Sequence, residues 1–257
     1  MTATEKNQEQ LAEGTLLSHL IELRSRLLKM VASVLIMFVV LLPFSRQIFT
    51  LVSEPIRAAL PGNDMIATGV VSPVVVPFKT TLYAALFLVM PVVLYQIWAF
   101  VAPGLYRREK RFAIPLLMTS ILLFYAGIAF AYLLVFPLIF EFITTFATEG
   151  VDVQTDITLF LDFVIAIVFA FGLAFEVPIA TVLVCWTGLV SVQSLSKARP
   201  YVFLGAFIVG MFLTPPDMIS QTLLAIPVYL LYELGILMSK IFTSSREEKE
   251  EEATVTE

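Results

Sequence analysis

Apolar residues in this chain come in long blocks separated by short polar stretches. Six of the blocks approach the about 20 residues that a bilayer-spanning helix needs. They are Leu27–Phe44, Thr80–Ala102, Phe112–Phe136, Leu159–Thr187, Tyr201–Thr214 and Ile219–Met238. The fifth is short. At about 1.5 Å per residue it reaches about 21 Å, less than a hydrocarbon core of about 30 Å, which predicts local thinning of the bilayer. The turn Thr214-Pro215-Pro216-Asp217 leaves room only for a tight hairpin between the fifth and sixth blocks. After the first block, IFTLVSEPIRAAL places Ile48, Leu51, Val52, Ile56 and Leu60 at helical spacing. That pattern predicts a short amphipathic helix lying as a cap on the outer membrane surface. Val70–Phe78 is apolar but carries Pro73 and Pro77, and is not counted as a span. Prolines within or at the ends of the blocks (Pro91, Pro103, Pro115, Pro178, Pro200, Pro227) predict bent helices. Helices that lean together make a concave face.

Composition agrees with the pattern. The hydrophobic fraction is 59% and the charged fraction 14%, against about 45–50% and about 25% in soluble domains. Mean hydropathy is +0.91. The fold class expected is an all-α polytopic membrane protein with six transmembrane helices. The formal charge of −5 comes from acids crowded into the last residues, from Glu247 onward. The chain divides into a polar tail over 1–14, a transmembrane domain over 15–242 and an acidic, disordered tail over 243–257. The polar start, through Gly14, does not read as a cleavable signal peptide.

Cations set the orientation. One side carries Lys6, Arg24, Arg26, Lys29, the Arg107–Arg111 cluster, Lys197, Arg199, Lys240, Arg246 and Lys249, the other only Arg46, Arg57 and Lys79. This bias puts both termini in the cytoplasm. The stretch between the third and fourth blocks holds Glu141, Glu149, Asp152 and Asp156 and no cation, which fits an outside position.

Several chemistries are poorly supported. A GxxxxGK(S/T) loop is missing, so nothing points to a P-loop ATPase. One histidine, His19, and one cysteine, Cys185, make neither a zinc site nor an internal disulfide. No serine or cysteine has a nucleophile motif around it. No metal or cofactor is expected.

Carboxylates at and within the membrane carry the remaining signal. In LLSHLIELRSRLLKM, Leu16, Leu20, Leu23 and Leu27 form one helical stripe, while Glu22, Arg26 and Lys29 lie on another face. Glu22 reads either as a solvated i,i+4 partner of Arg26, worth about 0.3–0.5 kcal/mol, or as a carboxylate facing a cationic ligand. In LYQIWAFVAPGLYRREKRFAIP, a Pro-Gly break precedes Glu109, which sits among Arg107, Arg108, Lys110 and Arg111. It reads either as a charge balancing its neighbours or as one that exchanges them for a guest guanidinium, whose planar fork a carboxylate accepts bidentately. Glu176 interrupts the fourth block two residues before Pro178. An ionisable group there costs about 2.5–3.5 kcal/mol on insertion scales and defaults to a functional reading, against a structural hydrogen bond to a bent neighbour. Asp162 and Glu233 lie closer to the interfaces and are weaker cases. Gln221 is placed to hydrogen-bond a neighbouring helix.

HLIELRSRLLK, MIATGVVSP, LYQIWAFVAPGLYRREKR, LLFYAGIAFAY, FEVP, KARPY and GMFLTPPDMISQTLLAIPVYLLYELG occur in this order. Together they resemble the TatC family, a subunit of the twin-arginine protein translocase, from about Leu16 to Phe242. The resemblance implies a core receptor for signal peptides with an Arg-Arg pair. It also implies export of folded proteins driven by the proton-motive force, in a multi-subunit complex of the bacterial inner membrane. By that resemblance Glu22 and Glu109 contact the twin arginines, supported by Arg24, Phe100 and Leu105. Glu176 is the polar residue of the concave face, and Pro55 belongs to the sensitive outer cap. Met211, Asp217 and Gln221 meet single-span TatA- and TatB-type subunits. Self-association in a larger complex is implied, and neither enzyme activity nor nucleic-acid binding is. The residues taken without the resemblance leave a proton-coupled small-solute transporter working through Glu176 as the alternative. The absence of an internal repeat with paired broken helices speaks against it.

Overall fold

The computed structural model describes the backbone over residues 3–59, 65–101, 110–145, 155–213 and 218–255, and side chains over 20–54, 57, 65–100, 114–141, 155–213, 218 and 221–241. Nearly all of it is helix: α1 (Ala3–Leu41), α2 (Ser45–Ala59), α3 (Ser72–Leu88), α4 (Met90–Val101), α5 (Lys110–Phe130), α6 (Phe136–Thr145), α7 (Ile157–Ala174), α8 (Val177–Trp186), α9 (Val192–Leu213) and α10 (Met218–Val255). Two strands of two residues each, β1 (Met65–Ile66) and β2 (Thr155–Asp156), pair in parallel. α10 takes in the acidic run that the sequence assigns to a tail.

Most of the predicted spans reappear with shifted bounds. Four helical stretches are long and apolar enough to cross a bilayer: Leu20–Glu54, Ile114–Glu141, Ile157–Trp186 and Gln221–Ile241. The pair α3–α4, bent by 51°, makes a fifth. α9 does not meet that measure among the described residues. Its apolar part after Pro200 is only about 20 Å long.

Val70–Phe78, set aside because of its prolines, supplies the first turns of α3, which corrects that expectation. Pro73 sits in the first turn, where its missing N–H is not needed. Pro77 deprives only the Pro73 carbonyl of its intrahelical donor. The break falls instead at Val89, two residues before Pro91, whose ring clashes with the carbonyl four residues back, on Phe87. Val89 accepts from Val92 N at 2.8 Å and Val93 N at 3.1 Å, so the next helix starts at once. Pro178 acts the same way on the fourth span, producing the Phe175–Glu176 turn between α7 and α8. α5, α9 and α10 run through Pro115, Pro200 and Pro227 without such a break. The expected amphipathic helix around Pro55 is α2, reached from α1 through a 3-10 turn at Leu42–Phe44.

The chain divides into two compact units. The first comprises Met1–Ile48 and Phe78–Leu117, the second Phe49–Pro77 and Met118–Glu257. In the first, α1 packs against α4. In the second, α10 packs against α7, α8 and α9. α5 and α6 are joined by a π-helical turn, Ala131–Val135, which packs on α7. Phe136 and Phe140 stack with centroids 5.9 Å apart, and both reach Phe163 of α7. Phe130 packs on Phe171 and Phe175. The faces turned away from these contacts are apolar too: Leu35, Ile36, Val39 and Val40 of α1 are all more than half exposed. Water penalises such faces, whereas a lipid solvent does not.

Asp156 fastens one end of the second unit. Its Oδ1 accepts from the backbone N–H groups of Thr158 (2.8 Å) and Leu159 (3.2 Å), capping α7. Its Oδ2 accepts from Thr68 Oγ1 at 2.7 Å and Thr68 N at 2.9 Å, tying down the segment that follows β1. These bonds, the Thr68 hydroxyl foremost, hold the carboxyl well below the usual carboxylate range although burial opposes them. A folded pKa depressed in this way adds stability above the ordinary carboxylate value of about 4. That stability is lost as pH falls through the lower, folded value. Asp156→Asn is therefore expected to melt several degrees below wild type at neutral pH in detergent, the difference closing as the buffer is acidified. A difference independent of pH would show that the charge is not what holds this clip.

Candidate functional site

Glu22 lies on α1 with its side chain 37% exposed, beside an Arg26 side chain that is 20% exposed. Glu22 Oε1 accepts from Arg26 Nε at 3.0 Å and from Arg26 Nη2 at 2.5 Å. The i,i+4 pair expected from spacing is therefore formed. Arg26 Nη1 reaches across to α4, where it donates to Gln96 Oε1 at 3.3 Å. Phe100, half-buried, lies one turn after Gln96 and shares its face of α4. Trp98, on another face, is buried.

Arg24 is placed differently. Two residues from Glu22 on a helix of 3.6 residues per turn, it points to nearly the opposite side. It is exposed and lines a shallow depression along α1 with Ile21, Ser25, Leu28, Lys29 and Ala32. Leu105, Glu109 and Asp217 lie outside the described residues, as does the side chain of Pro55, whose backbone belongs to α2.

In the second unit, Ser120, Phe124, Gly127 and Ala131 fall at i, i+4, i+7 and i+11, and this face of the third span is buried. Gly127 meets the α7 backbone: a Cβ there would stand 2.5 Å from the Phe171 carbonyl oxygen. Gly172 in turn makes room for the Phe124 ring, which would lie 2.7 Å from an added Cβ. This close approach brings Ser120 to the α7–α8 turn, where its Oγ donates to Glu176 Oε2 at 2.5 Å. Glu176 Oε1 is buried and, among the described residues, has no hydrogen-bond partner. The glutamate thus has the structural hydrogen bond that its bland reading requires and still keeps one oxygen for another donor.

Glu233 is accounted for within the fold. Arg199 Nη2 donates to its Oε2 at 2.9 Å, and Arg199 Nε stands 2.7 Å from its Oε1 as an ion pair without hydrogen-bond alignment. Tyr232 OH donates to the Leu195 carbonyl at 2.8 Å, so α9 and α10 are locked at this level. Near the other end of the same pair, Gln221 packs its Cγ against Gly210, next to Met211, which is half exposed. Met211 and Gln221 therefore share one end of the α9–α10 hairpin. Among the described residues no three His, Cys, Asp or Glu side chains gather where a metal ion would sit.

Sequence reasoning missed Gln96 and Ser120. Gln96 is a polar residue within an apolar block, and Ser120 follows Thr119 in another. Asp156 directly precedes the apolar run from Ile157, the usual position of a helix N-cap, whereas its bonds to Thr68 have no signature in the sequence.

Residues 18–227 match the family model described as "Sec-independent protein translocase protein (TatC)". The TatC protein of Azotobacter chroococcum mcd 1 is 59% identical over 222 residues, covering 86% of this chain and 87% of that protein. The TatC protein of Escherichia coli K12 is 53% identical over 237 residues, 92% of each chain. A crystal structure of the "Twin Arginine Translocase Receptor- TatC" superposes with a TM-score of 0.80 at 35% identity, covering 88% of this chain and 99% of that one. The chain belongs to the TatC family of Sec-independent protein translocase proteins, multi-pass membrane components of the twin-arginine translocase.

Proposed function

We propose that this protein is the core receptor of its translocase and binds the Arg-Arg pair of signal peptides through Glu22 and Glu109. Phe100 and Leu105 support that site, whereas Arg24, on nearly the opposite side of α1 from Glu22, does not line it. α1, the α3–α4 pair, α5–α6, α7–α8, α9 and α10 serve as six spans of the bacterial inner membrane, with both termini in the cytoplasm and α2 lying as a cap on the outer face. Met211, Asp217 and Gln221 receive single-span TatA- and TatB-type partners at the short hairpin. Glu176 faces the interior groove along which the apolar part of a signal peptide lies. The proton-motive force drives export, and copies of the protein associate in a larger complex. The acidic tail stays outside the packed domain.

The observation that carries this reading is the guanidinium already held by Glu22. A half-exposed carboxylate that binds an arginine fork within its own chain has the chemistry to bind one from a peptide. A lysine ammonium is a point charge and reproduces only part of that pairing. Purified full-length protein in detergent is therefore expected to bind an Arg-Arg signal peptide at least about tenfold more tightly than its Lys-Lys counterpart, a difference of about 1.4 kcal/mol. Fluorescence anisotropy with a labelled peptide measures this. Equal affinities would reject the arginine site.

A further inference from the structure

Arg26 occupies the carboxylate that the guest arginine needs. We propose that Arg26 is a resident stand-in for the guest guanidinium, and that Gln96 is the acceptor that takes it over when the guest arrives. This inference rests on the reading of Glu22 as a receptor carboxylate.

The geometry supports an exchange. Both close bonds from Arg26 end on a single oxygen, Glu22 Oε1. A guest that finds Oε1 taken has only Oε2. A lone N–H···O bond to Oε2 is one that lysine makes as readily as arginine. Bidentate recognition, the source of arginine selectivity, requires both oxygens and hence the withdrawal of Arg26.

Arg26 is the less exposed partner, so a guest reaches Glu22 from the solvent side while Arg26 stays on the protein side. A displaced guanidinium in that position needs an acceptor, because an unsatisfied charged donor is costly. Gln96 Oε1 already lies 3.3 Å from Nη1. Its neutral carbonyl is a weaker acceptor than a carboxylate, so in the free protein Arg26 rests on Glu22. Gln96 thereby becomes a positioning residue that sets arginine-over-lysine selectivity without touching the peptide.

Binding of Arg-Arg and Lys-Lys signal peptides is measured on purified full-length wild type, Arg26→Gln, Gln96→Leu, their double variant and Glu22→Gln. Arg26→Gln removes the competitor and is expected to tighten Arg-Arg binding about twofold, the scale of an i,i+4 ion pair. Gln96→Leu strands Arg26 on Glu22 and is expected to weaken Arg-Arg binding by a similar factor while leaving Lys-Lys binding nearly unchanged. In the Arg26→Gln background Gln96→Leu is expected to have no effect, a non-additivity that a purely structural role would not give. Arg26→Lys, which keeps the charge and loses the fork, is expected to tighten binding to a smaller degree, and it reports the same exchange should Arg26→Gln fail to accumulate. Weaker binding by either Arg26 variant overturns the proposal, as does additivity of the two sites. If Glu22→Gln binds like wild type, the receptor site itself is wrong. If Glu22→Gln loses binding while Arg26→Gln changes nothing, only the exchange is wrong.

Discussion

Glu22→Gln is expected to weaken binding of an Arg-Arg signal peptide about 30-fold, and Glu22→Gln with Glu109→Gln to weaken it further. The substitution keeps size and shape and removes the charge. An amide offers one acceptor oxygen and turns an NH2 donor toward the guanidinium, so the fork loses one bond and meets a repulsive contact. Truncating one partner of a desolvated charge pair costs about 2–5 kcal/mol. Glu22 is 37% exposed, which places it at the lower end, and about 2 kcal/mol corresponds to about 30-fold. Folding is not expected to suffer, because the internal pair with Arg26 is worth only about 0.3–0.5 kcal/mol. The double variant should therefore reach the membrane in normal amounts, elute as a single species in detergent and fail to export a twin-arginine cargo in cells. Peptide affinity unchanged by Glu22→Gln would move the arginine site elsewhere in the chain.

The helices were legible because apolar blocks of bilayer length leave few alternatives. The errors fell where proline acts through its position in a helix rather than through its presence. Pro73 and Pro77 look like breakers in the sequence, yet Pro73 stands in the first turn of α3, where a missing N–H costs little, and Pro77, one turn later, removes a single bond without ending the helix. Pro91 and Pro178 look no different and break their helices, since each follows several turns of formed helix and strikes the carbonyl four residues behind it. Residue type does not separate the two cases, and neither does a preceding stretch of helix alone, since α9 and α10 run through Pro200 and Pro227 more than two turns from their starts.

The site was legible to a different extent. Spacing alone put Glu22 and Arg26 together, and the structure pairs them. It also set Glu176 apart as a carboxylate within a span, and its partner Ser120 lies 56 residues away on another helix. No periodicity predicts a contact at that separation, and the same holds for Arg26 with Gln96 and Asp156 with Thr68. Local pairs can be read from helical geometry, whereas pairs between elements depend on crossing points that packing fixes.

Gly127 sets one of those crossing points, and Gly127→Ala is expected to destabilise the second unit by about 1–3 kcal/mol, the usual cost of overpacking. An added Cβ would stand 2.5 Å from the Phe171 carbonyl oxygen, 3.0 Å from its carbon and 3.1 Å from Gly172 Cα. All three are backbone atoms, so no side chain can rotate away and the two helices must part. Helix association in lipid rests on close packing rather than on escape from water, so lost contact is not recovered elsewhere. Ser120 shares this face seven residues earlier, and parting the helices also lengthens its bond to Glu176. Gly205→Ala is the control, since nothing lies within 4 Å of a Cβ there. It is expected to melt at or slightly above the wild-type temperature, because alanine is the better helix former. Melting temperatures of the purified variants in detergent decide the matter. If Gly127→Ala melts with wild type, α5 and α7 are not in close backbone contact at this point.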